Sequence, residues 1–206
     1  MIAILGGTFD PIHQGHIHIA SRVSQLLSVE QVQFMPCAQP VHRRTPHATP
    51  EQRCDMINLE ISSRPDFVLN RIEIDRKGPS YSVDSLHELQ ACDAGRLVLI
   101  LGGDSFAGFA NWKQPEAILQ MANLVVCRRP GANEASDIYV EHRVDSVDRL
   151  EAQATGGILV IDVDAPDCAS STLRQRISRR QLPGDCLSDA VAAYIEQHGL
   201  YRNSFG

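Results

Sequence analysis

The stretch Ile2-Ala3-Ile4-Leu5-Gly6-Gly7-Thr8-Phe9-Asp10-Pro11-Ile12-His13-Gln14-Gly15-His16 decides how this chain folds. Its first four residues are an apolar run that reads as a short buried strand. Gly-Gly ends the run, and from Gly15 onward Ile17, Ala20, Val23 and Leu27 recur at helical spacing. The pattern is strand, glycine turn, helix. Gly6 and Gly7 carry no side chain, so backbone N–H groups there can approach phosphate oxygens closely. The helix that follows directs its positive dipole end at the same place. His13 and His16, three residues apart, can aim at that spot, and imidazole N–H donors suit the charge that builds on phosphate oxygens. The Walker pattern G-x-x-x-x-G-K-[ST] is absent, as is G-x-G-x-x-G. A zinc site from Asp10, His13, His16 and His18 lacks H-E-x-x-H and a well-spaced fourth ligand. An ordinary glycine turn with surface histidines is the plain alternative.

Outward from this turn, strands and helices alternate. Strands are predicted over 32–35, 67–74, 96–101, 124–127 and 158–163. Helices are predicted from Thr49-Pro50 onward, with Thr49 as N-cap and Pro50 at the first helical position, then over 82–89 with Ser82 as candidate cap, and over 115–121. The polar segment 131–157 reads as a helix over 137–151, and two more helices follow near 171–180 and 186–197. This alternation predicts an α/β, Rossmann-like, doubly wound, mostly parallel sheet with helices on both faces and a small C-terminal helical part, the whole forming one domain over 1–206. The Gly-Gly pair after RLVLIL (Gly102, Gly103) joins Gly6-Gly7 at the carboxyl ends of strands, where open sheets bind ligands.

Composition narrows the function classes. Hydrophobic content of 43% and charged content of 21% over 206 residues describe a globular chain with a sizeable core. The net charge of −6 argues against a nucleic-acid surface, although there are seventeen arginines to two lysines, Lys77 and Lys113. No apolar run approaches the ~20 residues of a membrane span. MIAILGG has no basic region and no cleavage pattern, so no signal peptide is expected and a cytoplasmic location follows. The six cysteines at 37, 54, 92, 127, 168 and 186 include no C-x-x-C, and the expectation is reduced, mostly buried thiols.

The longer pattern G-G-x-F-D-P-x-H-x-G-H resembles the signature of the nucleotidyltransferase superfamily with an H/T-x-G-H motif, here His13-Gln14-Gly15-His16. Near the other end, Cys168-Ala169-Ser170-Ser171-Thr172-Leu173-Arg174 resembles the family's I-S-S-T-x-I-R, with Cys168 in place of Ile and Ala169 in place of the first Ser. Three further stretches narrow the resemblance to the bacterial nicotinate mononucleotide adenylyltransferases. Pro79-Ser80-Tyr81-Ser82 resembles P-S-Y-T, Gly102-x-Asp104 with Trp112 resembles G-x-D and a Trp, and Pro40-Val41-His42-Arg43 resembles P-P-H-K/R. The resemblance runs nearly end to end.

It implies adenylyl transfer from ATP to nicotinate mononucleotide, with Mg²⁺ accompanying ATP and with His16, assisted by His13, stabilising the transition state. It further implies ATP contacts at Gly6, Gly7, Thr8, Phe9, His16, Gly102, Asp104, Ser170, Ser171 and Arg174, and acceptor contacts at His42, Arg43, Tyr81, Ser82 and Trp112. Physically, the flat pyridine ring suits an aromatic face such as the sole tryptophan, Trp112, and backbone donors suit its carboxylate. Asp10 is expected to order the turn rather than ligate metal. Arg128 and Arg129 are left between shaping the nucleotide pocket and structural pairing. Nicotinamide mononucleotide, phosphopantetheine and cytidylyl-transfer substrates stay open as acceptors, as does a non-catalytic nucleotide-binding role. Partners are ATP and the acceptor, with neither nucleic acid nor membrane, in a monomer or homodimer.

Overall fold

A computed structural model describes residues 1–27, 29–40, 45–76, 78–92, 95–129, 139–181 and 184–202. In chain order the elements are β1 (Ile2–Gly7), α1 (Gln14–Leu26), β2 (Gln31–Pro36), α2 (Pro50–Ile61), β3 (Phe67–Leu69), α3 (Ile72–Asp75), α4 (Ser82–Ala91), β4 (Leu97–Gly102), α5 (Gly103–Ala107), α6 (Pro115–Met121), β5 (Ala122–Arg128), β6 (Arg143–Val144), α7 (Val147–Ala152), β7 (Ile158–Asp162), α8 (Ser170–Ser178) and α9 (Asp189–Gln197). Short 3-10 turns sit at Phe109–Asn111, Val140–His142 and Gly184–Cys186.

The seven strands form one sheet in the order β3-β2-β1-β4-β5-β7-β6, and every pairing is parallel. Alternating side chains send each strand to two cores. On one face Ala3, Leu5, Val98, Ile100 and Val125 pack with residues of α1, α2, α8 and α9. On the other, Ile4, Leu97, Leu99, Leu101 and Leu124 pack with residues of α4, α5 and α6. This is the expected doubly wound α/β architecture. The chain builds β2 and β3 outward on one side of β1, then crosses to β4 on its other side. The order therefore reverses between β1 and β4, which opens a crevice at their carboxyl ends, where Gly6-Gly7 and Gly102-Gly103 end the two strands.

Local chemistry sets several boundaries differently from the sequence expectation. The predicted strand over 67–74 stops at Leu69 because the Asn70 side-chain oxygen accepts from the Ile72 N–H at 2.9 Å, an Asx turn that starts α3. The predicted helix over 137–151 is, within the described residues, a 3-10 turn, the edge strand β6 and then α7, whose N-cap Ser146 accepts from the Arg149 N–H. Ser82 is the first residue of α4 and not its cap, which is Tyr81. The helix expected near 186–197 begins at Asp189, capped by Ser188. At α2 the reading holds: Thr49 accepts from the Gln52 N–H at 3.2 Å, and the Gln52 side chain returns a bond from the Thr49 N–H at 3.0 Å.

Four thiols are free as expected, Cys37, Cys54, Cys92 and Cys127, but only Cys54 and Cys127 are buried, and Cys92 is exposed. The expectation fails for the other two. Cys168 and Cys186 form a disulfide, their Cα atoms 5.6 Å apart. The segment entering α8 and the 3-10 turn at Gly184–Cys186 meet in space although 18 residues separate the sulfurs in sequence, so no short cysteine motif announces the pair.

Candidate active site

The turn from Gly6 to His16 is built around Phe9. Phe9 takes a left-handed backbone with φ of 51° and turns its ring into the core, where it is 1% exposed. A Cβ at Gly7 would lie 3.0–3.3 Å from that ring, so only glycine fits there without a shift. The Phe9 ring meets His16 edge-on with centroids 4.9 Å apart and leans on Phe34. Below the turn lies Arg53 of α2, fully buried. Its guanidinium donates to the carbonyls of Thr8 and Cys37, each at 2.7 Å. That brace ties the end of β1 to the end of β2.

His13 caps α1, and His16 is in its first turn. Their rings stack with centroids 3.7 Å apart. The His13 backbone N–H donates to Nδ1 of His16 at 3.2 Å. Nδ1 is therefore the acceptor nitrogen, and in the neutral ring the proton resides on Nε2, which makes that atom a donor. His13 is 7% exposed, and burial pushes its imidazole down to about 4, so it is neutral at pH 7. Its Nδ1 is buried with no hydrogen-bond partner among the described residues. Gly15 passes so close to this ring that a Cβ there would lie 3.1 Å from its Cε1 and Nδ1.

Asp10 orders the turn, as the sequence reading expects. It is 3% exposed, and its carboxylate accepts from the N–H groups of His47 and Ala48 at 2.8 and 3.0 Å and from the Tyr201 hydroxyl at 2.9 Å. Burial, then the adjacent Asp10, pushes the Tyr201 hydroxyl up and keeps it a donor. Arg174 of α8 donates to the Asp10 carbonyl at 2.6 Å, and its guanidinium lies 3.8 Å from the carboxylate. The Ser170 hydroxyl donates to the Pro11 carbonyl at 3.0 Å. Neither Ser170 nor Ser171 caps α8, whose N-cap is Ala169 without a side-chain bond. The C-terminal motif thus closes onto the N-terminal turn.

The turn faces one cleft of about 1890 Å³ over the β1–β4 crevice, lined by Gly6, Gly7, Asp10, His13 and His16 but not by Arg53 or Tyr201. The volume exceeds the roughly 300–1,000 Å³ typical of a single small ligand and leaves room for two nucleotides. The cleft brings together the sequence-predicted Gly6, Gly7, Thr8, Phe9, His13, His16, Gly102, Asp104, Ser170, Ser171 and Arg174 with Tyr81, Ser82 and Trp112. Trp112 is half-buried and leans on Phe109 at 5.5 Å. Beside it Lys113 lies 4.6 Å over the Tyr81 ring and pairs with Asp84. His42 and Arg43 lie outside the described residues. Arg128 and Arg129 both line the cleft and pair with Asp162 and Asp167. Sequence reasoning missed Arg53, Glu73, Tyr201 and Lys113. Only Arg53 left a usable trace, three and four residues before Met56 and Ile57 on the buried side of α2.

Residues 4–176 match the model of the cytidylyltransferase-like proteins. The chain belongs to that family. Among relatives of this cytidylyltransferase-like chain is a probable nicotinate-nucleotide adenylyltransferase of Hydrogenovibrio crunogenus, 36% identical over 208 residues and covered to 98% on both sides. A protein of the same name from Acidithiobacillus ferrooxidans is 36% identical over 210 residues, which are 98% of this chain and 96% of that one. The fold is similar to that of Plasmodium falciparum nicotinic acid mononucleotide adenylyltransferase complexed with NaAD. The TM-score is 0.74 at 17% identity, over 98% of this chain and 97% of the other. Among the described residues no helix is long and apolar enough to cross a membrane.

Proposed function

We propose that this protein transfers the adenylyl group of ATP to nicotinate mononucleotide, giving nicotinate adenine dinucleotide and pyrophosphate in NAD assembly. The observation that carries the reading is the stacked His13–His16 pair at the head of α1, facing a cleft of about 1890 Å³. Full-length relatives named for this activity support it. A phosphate oxygen of the acceptor attacks the α-phosphorus of ATP in line. The bond from that phosphorus to the bridging oxygen breaks, and pyrophosphate leaves with the electron pair. No covalent bond to the protein forms, so catalysis is positioning and charge stabilisation. His16 donates from Nε2 to the phosphate oxygens, and neutral His13 holds the stack and assists. The glycines and the head of α1 supply backbone donors. Ser170, Ser171 and Arg174 close the adenylate side together with Asp104. Trp112, Tyr81 and Ser82 take the pyridine ring and its carboxylate, and His42 and Arg43 meet the acceptor phosphate.

Members of this family use a divalent metal with ATP. Among the described residues no group of three His, Cys, Asp or Glu side chains could hold an ion, and Asp10 is committed to protein donors. Mg²⁺ arriving with ATP would be held mainly by triphosphate oxygens and would neutralise phosphate charge there. The whole chain acts as one nucleotidyltransferase domain, in the cytoplasm. Initial rates of pyrophosphate release with ATP and Mg²⁺ test the proposal against nicotinate mononucleotide, nicotinamide mononucleotide and phosphopantetheine. A strong preference for the acid is expected. Equal rates with the amide would overturn the acceptor, and ATP binding without release on any acceptor would overturn the chemistry.

A further inference from the structure

Glu60 is a carboxylate that the reaction above does not use. It lies near the carboxyl end of α2, half-buried and outside the cleft lining. Its two oxygens have separate partners. Oε1 accepts from the Gln14 side-chain amide at 2.6 Å, and Oε2 accepts from the Ser188 hydroxyl at 2.6 Å. No lysine or arginine pairs with it among the described residues. Gln14 is the first residue of α1, between His13 and Gly15 in the H-x-G-H pattern, and Ser188 is the N-cap of α9. A charged acceptor makes each bond stronger than a neutral one would be. One side chain of α2 thus holds the heads of two other helices.

Arg53 stands two helical turns earlier on the same helix. At that spacing the two side chains leave α2 on one side, roughly 10.5 Å apart along its axis. Arg53 donates to the Thr8 carbonyl, and Glu60 accepts from Gln14. Between those anchors lies the turn that carries Phe9, Asp10 and His13, so α2 splints it at both ends. Gln14 itself is not part of the cleft lining, whereas Gly15 and His16, the next two residues, are. Two residues along a helix is a rotation of about 200°, so the Gln14 amide reaches α2 from the side of α1 opposite His16. A bond on that side sets how the first turn is rotated about the helix axis.

We propose that Glu60 is a positioning residue for adenylyl transfer, acting through Gln14 to fix the rotation of the head of α1 and with it the direction of His16 Nε2. The inference rests on the phosphate-directed role given to His16 above and not on the identity of the acceptor. From Ile17 onward α1 is anchored in the core by Ile17, Ala20 and Val23. Ahead of them Gly15 offers no side chain to hold the first turn. The Gln14–Glu60 bond supplies that restraint from outside the cleft, where it touches neither substrate.

The test measures kcat and both KM values in full-length variants. Gln14→Ala and Glu60→Ala should each lower kcat about 10-fold through a small displacement of His16, with the KM for ATP and for the acceptor within about 2-fold. Because both cut the same link, the double variant should be no worse than the poorer single one. Gln14→Glu sets two carboxylates against each other and should lower kcat at least as far. Adding Glu60→Gln to it exchanges donor and acceptor while the new amide oxygen still accepts from Ser188, and kcat should return to within about 3-fold of wild type. Tyr194→Phe removes another bond between α9 and α2, from its hydroxyl to Asp55 at 2.7 Å, and should leave kcat within about 2-fold. Unchanged kcat in the single variants, losses that fall on KM, an exchanged pair that stays slow, or an equal kcat loss in Tyr194→Phe would each overturn the proposal. If Glu60→Ala fails to fold, Gln14→Ala carries the same comparison, since it leaves the Ser188 bond in place. Wild-type protein that releases no pyrophosphate with any acceptor would bring down the catalytic reading and this inference with it. Active wild type with insensitive variants would bring down this inference alone.

Discussion

Replacing Gly15 with Ala separates the demands of catalysis from those of folding. Gly15 lies in the first turn of α1 and is buried. On propensity alone, alanine is favoured there by up to about 1 kcal/mol. The new methyl, however, would sit 3.1 Å from Cε1 and Nδ1 of His13 and 3.6 Å from the Cβ of Cys168, so the imidazole must retreat by a few tenths of an ångström. His13 has little room, being 7% exposed with its ring stacked on His16 at 3.7 Å, so the displacement passes to His16. A 1 Å misplacement of a catalytic group costs about 10²-fold, so a few tenths should lower kcat about 10-fold. The propensity gain offsets the contact strain, which keeps Tm within about 4 °C of wild type. Pyrophosphate release and thermal denaturation measure the two effects. Adding Gly15→Ala to His13→Ala should then cost nothing further, because the colliding ring is gone. Wild-type turnover by Gly15→Ala would refute the clamped-imidazole argument. A collapse in stability with His13 already absent would show that the glycine serves the backbone instead.

His16→Ala should lower kcat by on the order of 10²-fold or more with the fold intact, by loss of one phosphate-directed donor; near-normal turnover in a folded variant removes the assigned role. Trp112→Ala should weaken nicotinate mononucleotide more than ATP, and equal losses would mark Trp112 as a core anchor only. His13 makes stability pH-dependent. Its folded-state value of about 4 lies below the ordinary 6.5, so between those values the unfolded chain binds the extra proton. The contribution is complete above pH 6.5 and falls away toward pH 4, by up to about 3 kcal/mol. Urea midpoints at pH 7 and 4.5 should therefore drop less for His13→Gln than for wild type, and parallel drops contradict the assignment. Cys186→Ser opens a loop of 18 residues and should cost about 3 kcal/mol. A similar Tm loss is expected when wild type is reduced, and no loss in either case would deny the bond a stabilising part.

The sheet and its crevice were legible because their signals are local. Four apolar residues, two glycines and a helical repeat within the first 27 positions specify a strand, a turn and a helix without help from the rest of the chain. RLVLIL followed by Gly-Gly does the same for β4. What escaped depends on contacts across the fold. Glu73 lies between two isoleucines in an alternating apolar and charged stretch, Arg71 to Asp75, that resembles a strand, and only the Asx turn of Asn70 starts a helix there. Arg53 shares the buried side of α2 with Met56 and Ile57, but the reason for burying it shows only when the carbonyls of Thr8 and Cys37 arrive from two different strand ends. The cysteine pair is invisible for the same reason, since the two lie 18 positions apart with the whole of α8 between them.

These long-range contacts explain how so glycine-rich a turn can hold catalytic geometry. Glycines permit close approach to phosphate but surrender conformational restraint, so the restraint must come from elsewhere. It comes from three directions. Arg53 fixes the Thr8 carbonyl from beneath. His47 and Ala48 fix the Asp10 carboxylate from the segment before α2. Tyr201, Arg174 and Ser170 reach back 191, 164 and 159 residues to the Asp10 carboxylate, the Asp10 carbonyl and the Pro11 carbonyl. Because the last of these clamps comes from α8 and from Tyr201 after α9, the turn has its full set of partners only with the chain's end docked. The two motifs, far apart in sequence, are therefore the two halves of a single structural joint.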